Sequence, residues 1–137
     1  IIGGTLRTMD ADTRLRMIRD IEAVAQNAAA TVGCNVSMEL RPGYPPTLNH
    51  ESDALFARDI ITGMLGADGL ETDMTPVMGA EDFSFMLEQK PGAYIWLGAG
   101  LQSENLHSPH FDFNDDLLPI GASFWVQLAQ SKLTQST

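Results

Sequence analysis

A proline-rich segment in the first half of the chain limits what the chain can fold into. The segment Pro42-Gly43-Tyr44-Pro45-Pro46 holds three prolines in five residues. Proline lacks a backbone N–H and disfavours the helical conformation in the residue before it, so neither a helix nor a central strand continues through this segment. We therefore predict a domain boundary or a rigid crossing at these residues.

The residues before the prolines predict a strand, a helix and a second strand. Gly3 to Met9 is short and β-like, and Asp10 or Asp12 is placed to cap a helix that runs to about Val32. Residues 34–41 then alternate apolar and polar side chains, which is typical of a strand with one buried face. This alternation predicts that the Cys34 side chain fills the core. Apolar residues recur along the helix at helical spacing: Leu15, Ile18, Ala25, Ala28 and Val32.

The residues after the prolines predict two long helices and a buried strand. Ser52 with Asp53 begins a helix that runs to about Leu65, and residues 121–133 predict a closing helix. Between them, residues 94–97 form a compact apolar run bounded by glycines, which favours a fully buried strand. The chain contains no internal repeat and no low-complexity tract.

The charge and composition of the chain exclude several classes of partner. Eight basic and eighteen acidic residues give a formal net charge of -10, which repels a phosphate backbone, so we expect no nucleic-acid partner. No apolar run approaches the roughly 18 residues that cross a bilayer, so we expect no membrane span. A single cysteine excludes an internal disulfide framework and favours a reducing compartment, so we expect a cytoplasmic protein.

The first residues of the chain look like the middle of a strand. The sequence begins Ile1-Ile2-Gly3-Gly4, with no initiator methionine and no polar lead-in. Nothing there resembles a signal peptide. We therefore expect the chain to be a piece of a longer protein.

The segment from Leu106 to Asp115 is the strongest candidate for chemistry. It holds two histidines, two carboxylates and an amide within ten residues. A neutral imidazole such as that of His107 suits a borderline cation such as zinc, and Pro109 restricts Ser108 to an extended conformation. Zinc sites need three or four protein ligands, so this loop supplies one ligand or at most two, and the others must come from elsewhere.

Three other positions carry groups that suit a binding site, and each also has an ordinary interpretation. Arg7 lies on a short predicted strand, where a guanidinium can clamp a carboxylate with two parallel bonds or simply face solvent. Glu81 and Asp82 follow small residues at a predicted helix start, where carboxylates are favourable partners of the helix dipole. Asn49 and His50 follow the prolines, and we expect His50 to face solvent.

Five motifs in the chain resemble, in their order and spacing, those of the aminoacylase-like metallopeptidases. Within that group the chain is most similar to the amidohydrolase branch that contains hippurate hydrolases, N-acyl-amino-acid deacetylases and indole-acetyl-amino-acid hydrolases. The resemblance spans the whole chain. The motifs are Gly3-Gly4-Thr5-Leu6-Arg7-Thr8, Gly43-Tyr44-Pro45-Pro46 with Asn49, Met78-Gly79-Ala80-Glu81-Asp82-Phe83, Gly98, and Leu106-His107-Ser108-Pro109 with Phe111-Asp112-Phe113-Asn114-Asp115.

The resemblance implies an α/β fold, as the C-terminal part of a two-domain metallohydrolase. Residues 1–43 would be the second half of an α+β lid domain that commonly forms a homodimer, and residues 44–137 the end of the α/β catalytic domain. The complete enzyme would bind two divalent metal ions, Zn or Mn, and cleave the C–N amide bond of N-acyl or N-aroyl amino acids, as a carboxypeptidase-like hydrolase.

The resemblance also assigns roles to four residues of this chain. His107 corresponds to the family's final metal ligand, and Arg7 to the arginine that grips the substrate carboxylate. Glu81 lies where the family places a carboxylate near the metal centre, and we group it in a supporting role with Asn49 among the substrate-binding residues. The general base and the other metal ligands would lie upstream of Ile1, in the missing N-terminal portion, so the chain alone should be inactive.

Two other functions fit the same residues. The chain could act as a non-catalytic interaction module, in which the helix at residues 12–32 and the strand at 34–41 form a dimer surface. It could also belong to a catalytically inactive homologue that binds acyl-amino acids. The presence or absence of metal ligands upstream of Ile1 separates this last function from hydrolysis.

Overall fold

The computed structural model describes residues 1–134, and its regular elements are helices. They group into two compact units, Ile1–Leu48 with Thr75–Pro91 and Asn49–Met74 with Gly92–Thr137. The domain boundary that the sequence analysis placed between residues 43 and 44 stays a prediction. The helices are α1 (Ala11–Thr31), α2 (Glu51–Leu65), α3 (Phe83–Gln89) and α4 (Leu117–Thr134), with one 3-10 turn at Ala67–Gly69.

Helix α1 begins and ends where its sequence predicts. Asp10 is the N-cap, with extended backbone, and its Oδ1 accepts a hydrogen bond from Thr13 N at 2.7 Å. This bond satisfies one of the amides that the first helical turn leaves without a partner. The helix ends before Gly33, whose φ of 69° reverses the chain in a conformation that glycine adopts without strain. The predicted helix from Asp10 to about Val32 is thus confirmed.

The apolar positions of α1 are not buried by any other described residue. No residue of the helix is buried. Ile18 and Ala25 are half-buried, whereas the Leu15 side chain is 55% exposed and Val24 68% exposed. The periodicity therefore predicted the helix correctly, but residues 1–134 do not provide a surface that covers its apolar face.

Helix α3 contacts the proline-rich segment within the first unit. The Tyr44 and Phe85 rings meet edge to face with centroids 5.7 Å apart. The Arg14 guanidinium of α1 donates a hydrogen bond from Nη1 to Tyr44 O at 3.3 Å. Tyr44 thus links α1 to the short helix that follows Glu81.

The second unit is held together by packing between α2 and α4. Ala57 and Ile60 of α2 and Phe124 of α4 form its buried core. Helix α4 begins at Leu117, four residues before the predicted start, because Pro119 falls in the first turn, where a missing N–H costs no intrahelical hydrogen bond. Half-buried apolar side chains surround this core: Phe56, Ile61, Met64 and Leu128.

The three strands predicted from the sequence do not form among residues 1–134. Residues 3–9, 34–41 and 94–97 have no regular secondary structure. A strand makes its hydrogen bonds to a neighbouring strand, and no described segment provides one, whereas a helix satisfies its backbone within itself. The prediction that Cys34 fills a core is wrong, because without a sheet its side chain is exposed. The prediction of a fully buried run at residues 94–97 is also wrong, since Trp96 is 59% exposed.

None of the helices found within residues 1–134 combines the length and the apolar character that crossing a bilayer requires.

Candidate functional site

His107 occupies a backbone conformation that favours glycine. Its φ is 70°, and no other non-glycine residue among residues 1–134 has a positive φ. Ser108 N donates to Asn105 O at 3.0 Å, which closes a four-residue turn with His107 in the third position. A positive φ at the third residue of a turn, but not at the second, is typical of a type II turn, where the third residue is usually glycine or asparagine. A histidine held there stores about 1–2 kcal/mol of strain, and such strain is characteristic of functional sites.

The His107 side chain is exposed, and consecutive turns fix the backbone around it. Phe111 N donates to Ser108 O at 3.1 Å, immediately after the turn at residues 105–108. The Ser108 hydroxyl accepts a further hydrogen bond from His110 N at 3.2 Å. The imidazole therefore projects from an ordered backbone into a position that a ligand can reach.

The chemistry of His107 fits one ligand of a divalent metal site. A neutral imidazole is a ligand that zinc and other borderline cations accept. Within the part of the chain that the structure describes, no group of three or more His, Cys, Asp or Glu residues could hold a metal ion. The described residues therefore offer individual side chains, with His107 among them, rather than an assembled metal centre.

Asn49 makes two hydrogen bonds to the backbone of one residue. Its Nδ2 donates to Tyr94 O at 2.8 Å and its Oδ1 accepts from Tyr94 N at 2.7 Å, the pairing that a neighbouring strand would make. His50 adds two more bonds, from its N to Gly92 O at 3.0 Å and from Gly92 N to its Nδ1 at 3.3 Å. His50 is half-buried rather than solvent-facing. The structure gives Asn49 a structural role, and its role in substrate binding stays a prediction.

The two hydrogen bonds between Asn49 and Tyr94 could not be predicted from the sequence. Asn49 and Tyr94 lie 45 residues apart, and no periodicity or local motif connects them. The sequence predicted only that a helix begins at Ser52 with Asp53, shortly after Asn49. The structure starts α2 at Glu51, with His50 as the N-cap residue, and the His50 side chain makes no capping hydrogen bond.

Glu81 lies at the start of α3 and is half-buried. Its carboxylate accepts a hydrogen bond from Phe83 N at 3.5 Å, and its backbone O accepts the hydroxyl of the fully buried Ser84 at 2.6 Å. These contacts match the helix-start interpretation of the carboxylate. Its supporting role near a metal centre stays a prediction.

Arg7 lies in the first unit with an exposed side chain. Its guanidinium forms no ion pair and no hydrogen bond with residues 1–134. Thr8, which follows Arg7, contacts the start of α1, because its hydroxyl donates a hydrogen bond to Asp10 O at 2.9 Å. Neither Arg7 with Glu81 in the first unit, nor Asn49 with His107 in the second, is joined by a hydrogen bond. The structure thus describes four separate candidate residues.

The chain matches one family model and several individual proteins. Residues 3–131 match the model of peptidase family M20/M25/M40. The chain is 32% identical, over 98% of its length, to IAA-amino acid hydrolase ILR1-like 4 of Arabidopsis thaliana, and 34% identical over 98% to ILR1-like 2 of the same plant. It is 32% identical, over 85% of its length, to N-acetyldiaminopimelate deacetylase of Streptococcus suis (strain 05ZYH33).

The match covers nearly all of this chain but only part of each relative. The chain spans 32% and 31% of the two plant proteins and 30% of the bacterial one. The resemblance inferred from the five motifs is confirmed, because these relatives carry the names of an amino acid hydrolase and a deacetylase. The chain belongs to peptidase family M20/M25/M40.

Proposed function

We propose that the chain is the C-terminal portion of a metal-dependent amidohydrolase that cleaves the amide bond of N-acyl or N-aroyl amino acids. The family match over residues 3–131 carries the proposal. The names of the relatives support the amide as the bond that is cleaved. The strained backbone of an exposed histidine, His107, supports a site in the loop at residues 105–111.

The residues of this chain would have distinct roles in that enzyme. The His107 imidazole would hold one of two divalent ions, Zn or Mn, and such ions supply Lewis-acid activation of water and of the amide carbonyl. The Arg7 guanidinium would pair with the free carboxylate of the substrate, with Glu81 and Asn49 nearby in supporting roles. The general base would lie in a portion of the protein outside this chain, which alone would be inactive.

The complete protein would have the two-domain α/β fold that the motifs imply. Residues 1–43 would belong to an α+β lid domain and residues 44–137 to the catalytic domain. The alternating pattern at residues 34–41, exposed on both faces here, supports pairing with strands that this chain does not contain. Such pairing would also bury the apolar run at residues 94–97.

The proposal is tested by measuring whether the complete protein hydrolyses N-acyl amino acids. Matched substrates that lack the free carboxylate are measured beside them. We expect N-acetyl and N-benzoyl amino acids to be cleaved, and activity to be lost with a metal chelator and restored by Zn or Mn. Binding of these compounds without turnover would contradict hydrolysis and favour the inactive homologue. Absence of both binding and turnover would contradict the proposed substrate class.

Replacing Arg7 tests the substrate clamp. We expect Arg7→Ala to raise the KM of carboxylate-bearing substrates by about tenfold or more, with a smaller change in kcat, because the lost bonds hold the ground state as well as the transition state. Arg19→Ala, the same truncation at an exposed position of α1, is the matched control and should leave KM unchanged. An equal loss on substrates that lack the carboxylate would contradict the clamp.

A second proposed function is association through α1. None of the residues of this helix is buried, and Ile21 and Val24, which are neighbours on one side of the helix, are 45% and 68% exposed, so it presents an apolar face that a second copy could cover. Light scattering of the complete protein tests this. We expect a homodimer that Val24→Asp dissociates, with Gln26→Asp as a control on the same helix. A monomeric wild-type protein would contradict it.

A further inference from the structure

The loop that carries His107 is closed at its base by the side chain of Asn114. The Asn114 Nδ2 donates a hydrogen bond to Ala99 O at 3.4 Å, across 15 residues of chain. Its Oδ1 accepts from Asp116 N at 3.1 Å, and its backbone O accepts from Leu117 N at 3.1 Å. One half-buried side chain therefore joins the two ends of the loop and fixes them to the first turn of α4.

The other hydrogen bonds of this loop are local. They include those from Ser103 N to Gly100 O at 3.2 Å, Ser108 N to Asn105 O at 3.0 Å and Phe111 N to Ser108 O at 3.1 Å. Bonds of this kind shape successive turns but leave the loop free to move as a body relative to the helices. Within the described residues, the bond from Asn114 to Ala99 is the one that ties the loop across its base.

We infer that Asn114 is a positioning residue for His107, which directs the imidazole toward a divalent metal ion. Closing a long loop with one bond removes conformations of the loop, so fewer orientations of the His107 turn compete with the one that binds metal. Groups that orient a ligand without touching the metal commonly tune metal affinity. The inference rests on the proposed function, in which His107 is a metal ligand.

Two variants of Asn114 separate loop closure from helix capping. Asn114→Asp retains an oxygen that accepts from Asp116 N but removes the donor to Ala99 O, whereas Asn114→Ala removes both. Asn105→Ala is the matched control, because it truncates an amide in the same loop whose side chain forms no hydrogen bond with residues 1–134. All three are made in the complete protein. His107→Ala identifies the metal site that the measurement follows.

Two measurements are made on each variant. Zn²⁺ affinity is determined by competition with a chromophoric chelator, and amide hydrogen exchange is followed in the metal-free protein. We expect both Asn114 variants to weaken Zn²⁺ binding by about fivefold, the equivalent of one hydrogen bond, and to speed exchange at Ser108 and Phe111. Only Asn114→Ala should speed exchange at Asp116, and Asn105→Ala should change neither quantity.

The outcomes distinguish this inference from the function on which it rests. Unchanged Zn²⁺ affinity in His107→Ala would contradict the ligand assignment, and with it the proposed function. Loss of binding in His107→Ala, together with wild-type affinity in Asn114→Asp, would overturn only the positioning role. Faster exchange in Asn114→Asp without weaker Zn²⁺ binding would also overturn it, because the bond would then anchor the loop without directing the ligand.

Discussion

At the scale of single residues, His107 combines an exposed imidazole with a strained backbone. A β-carbon at a φ of 70° costs about 1–2 kcal/mol, and glycine avoids that cost. The sequence could identify this histidine, because the motif around it is short and contiguous. The strain could not be predicted, since it depends on which residues close the turn.

We therefore predict that His107→Gly gives a more stable metal-free protein than His107→Ala. Both variants remove the imidazole, but only alanine keeps the strain. The expected difference in the free energy of unfolding is about 0.5–1 kcal/mol, after allowance for the greater freedom of glycine in the unfolded chain. Urea unfolding measures it. Equal stability of the two variants would contradict a left-handed backbone at residue 107.

Asn49 illustrates how a residue that looks functional can also be structural. Its amide pairs with both backbone groups of Tyr94, so truncation leaves an N–H and a C=O without those partners. The sequence identified Asn49 as part of a motif, but it did not predict the contact of Asn49 with Tyr94. The partner lies too far along the chain for any local pattern to reveal it.

We predict that Asn49→Ala destabilises the protein by about 1–2 kcal/mol, the net value of two largely exposed hydrogen bonds. Asn49→Asp, which keeps the acceptor for Tyr94 N and loses the donor, should fall between the alanine variant and the wild type. The control is Asn35→Ala, at an exposed position. Denaturant unfolding checks the order, and an Asn49→Ala variant as stable as Asn35→Ala would refute the structural role.

At the scale of elements, local hydrogen bonding decides which predictions the structure confirms. Helix α1 and helix α2 were predictable nearly to their ends, because caps, glycines and apolar spacing act within a few residues. The strand predicted at residues 34–41 was not formed, because alternation shows only that a segment suits a sheet. A strand also needs a partner, which is information that the segment itself does not carry.

The N-cap of α1 gives a prediction that depends on pH. The backbone amide of Thr13, hydrogen-bonded to the carboxylate, lowers the pKa of Asp10 below its usual value. Asp10 therefore stabilises the helix at pH values above the carboxyl's usual pKa, and this contribution is lost as the pH falls through the lowered one. NMR shifts of the first turn should report the loss in the wild type.

The matched variant for this cap is Asp10→Asn. Asparagine offers a side-chain oxygen to Thr13 N but does not titrate, so the Thr13 amide signal should change less with pH in the variant than in the wild type. The other carboxyl of the first turn, Asp12, is common to both proteins. An identical pH response in the wild type and in Asp10→Asn would show that the carboxylate does not cap the helix.

At the scale of the whole molecule, the chain has the family's motifs, and His107 is its candidate metal ligand. Family membership was predictable, because the order of short motifs along the sequence does not depend on how the chain folds. The sheet and the complete metal centre were not obtained within residues 1–134, where neither a strand nor a cluster of three metal-binding side chains occurs. The chain spans about a third of the length of its relatives.

The proposed metal site is tested most directly by comparing the metal content and turnover of the complete wild-type protein with those of the His107→Ala variant. We predict that His107→Ala lowers the bound metal and reduces hydrolysis of N-acyl amino acids by about a hundredfold or more. His110→Ala, which removes a neighbouring imidazole from the same loop, should retain both. A His107→Ala protein with wild-type metal content and wild-type turnover would contradict the role of His107 as a metal ligand.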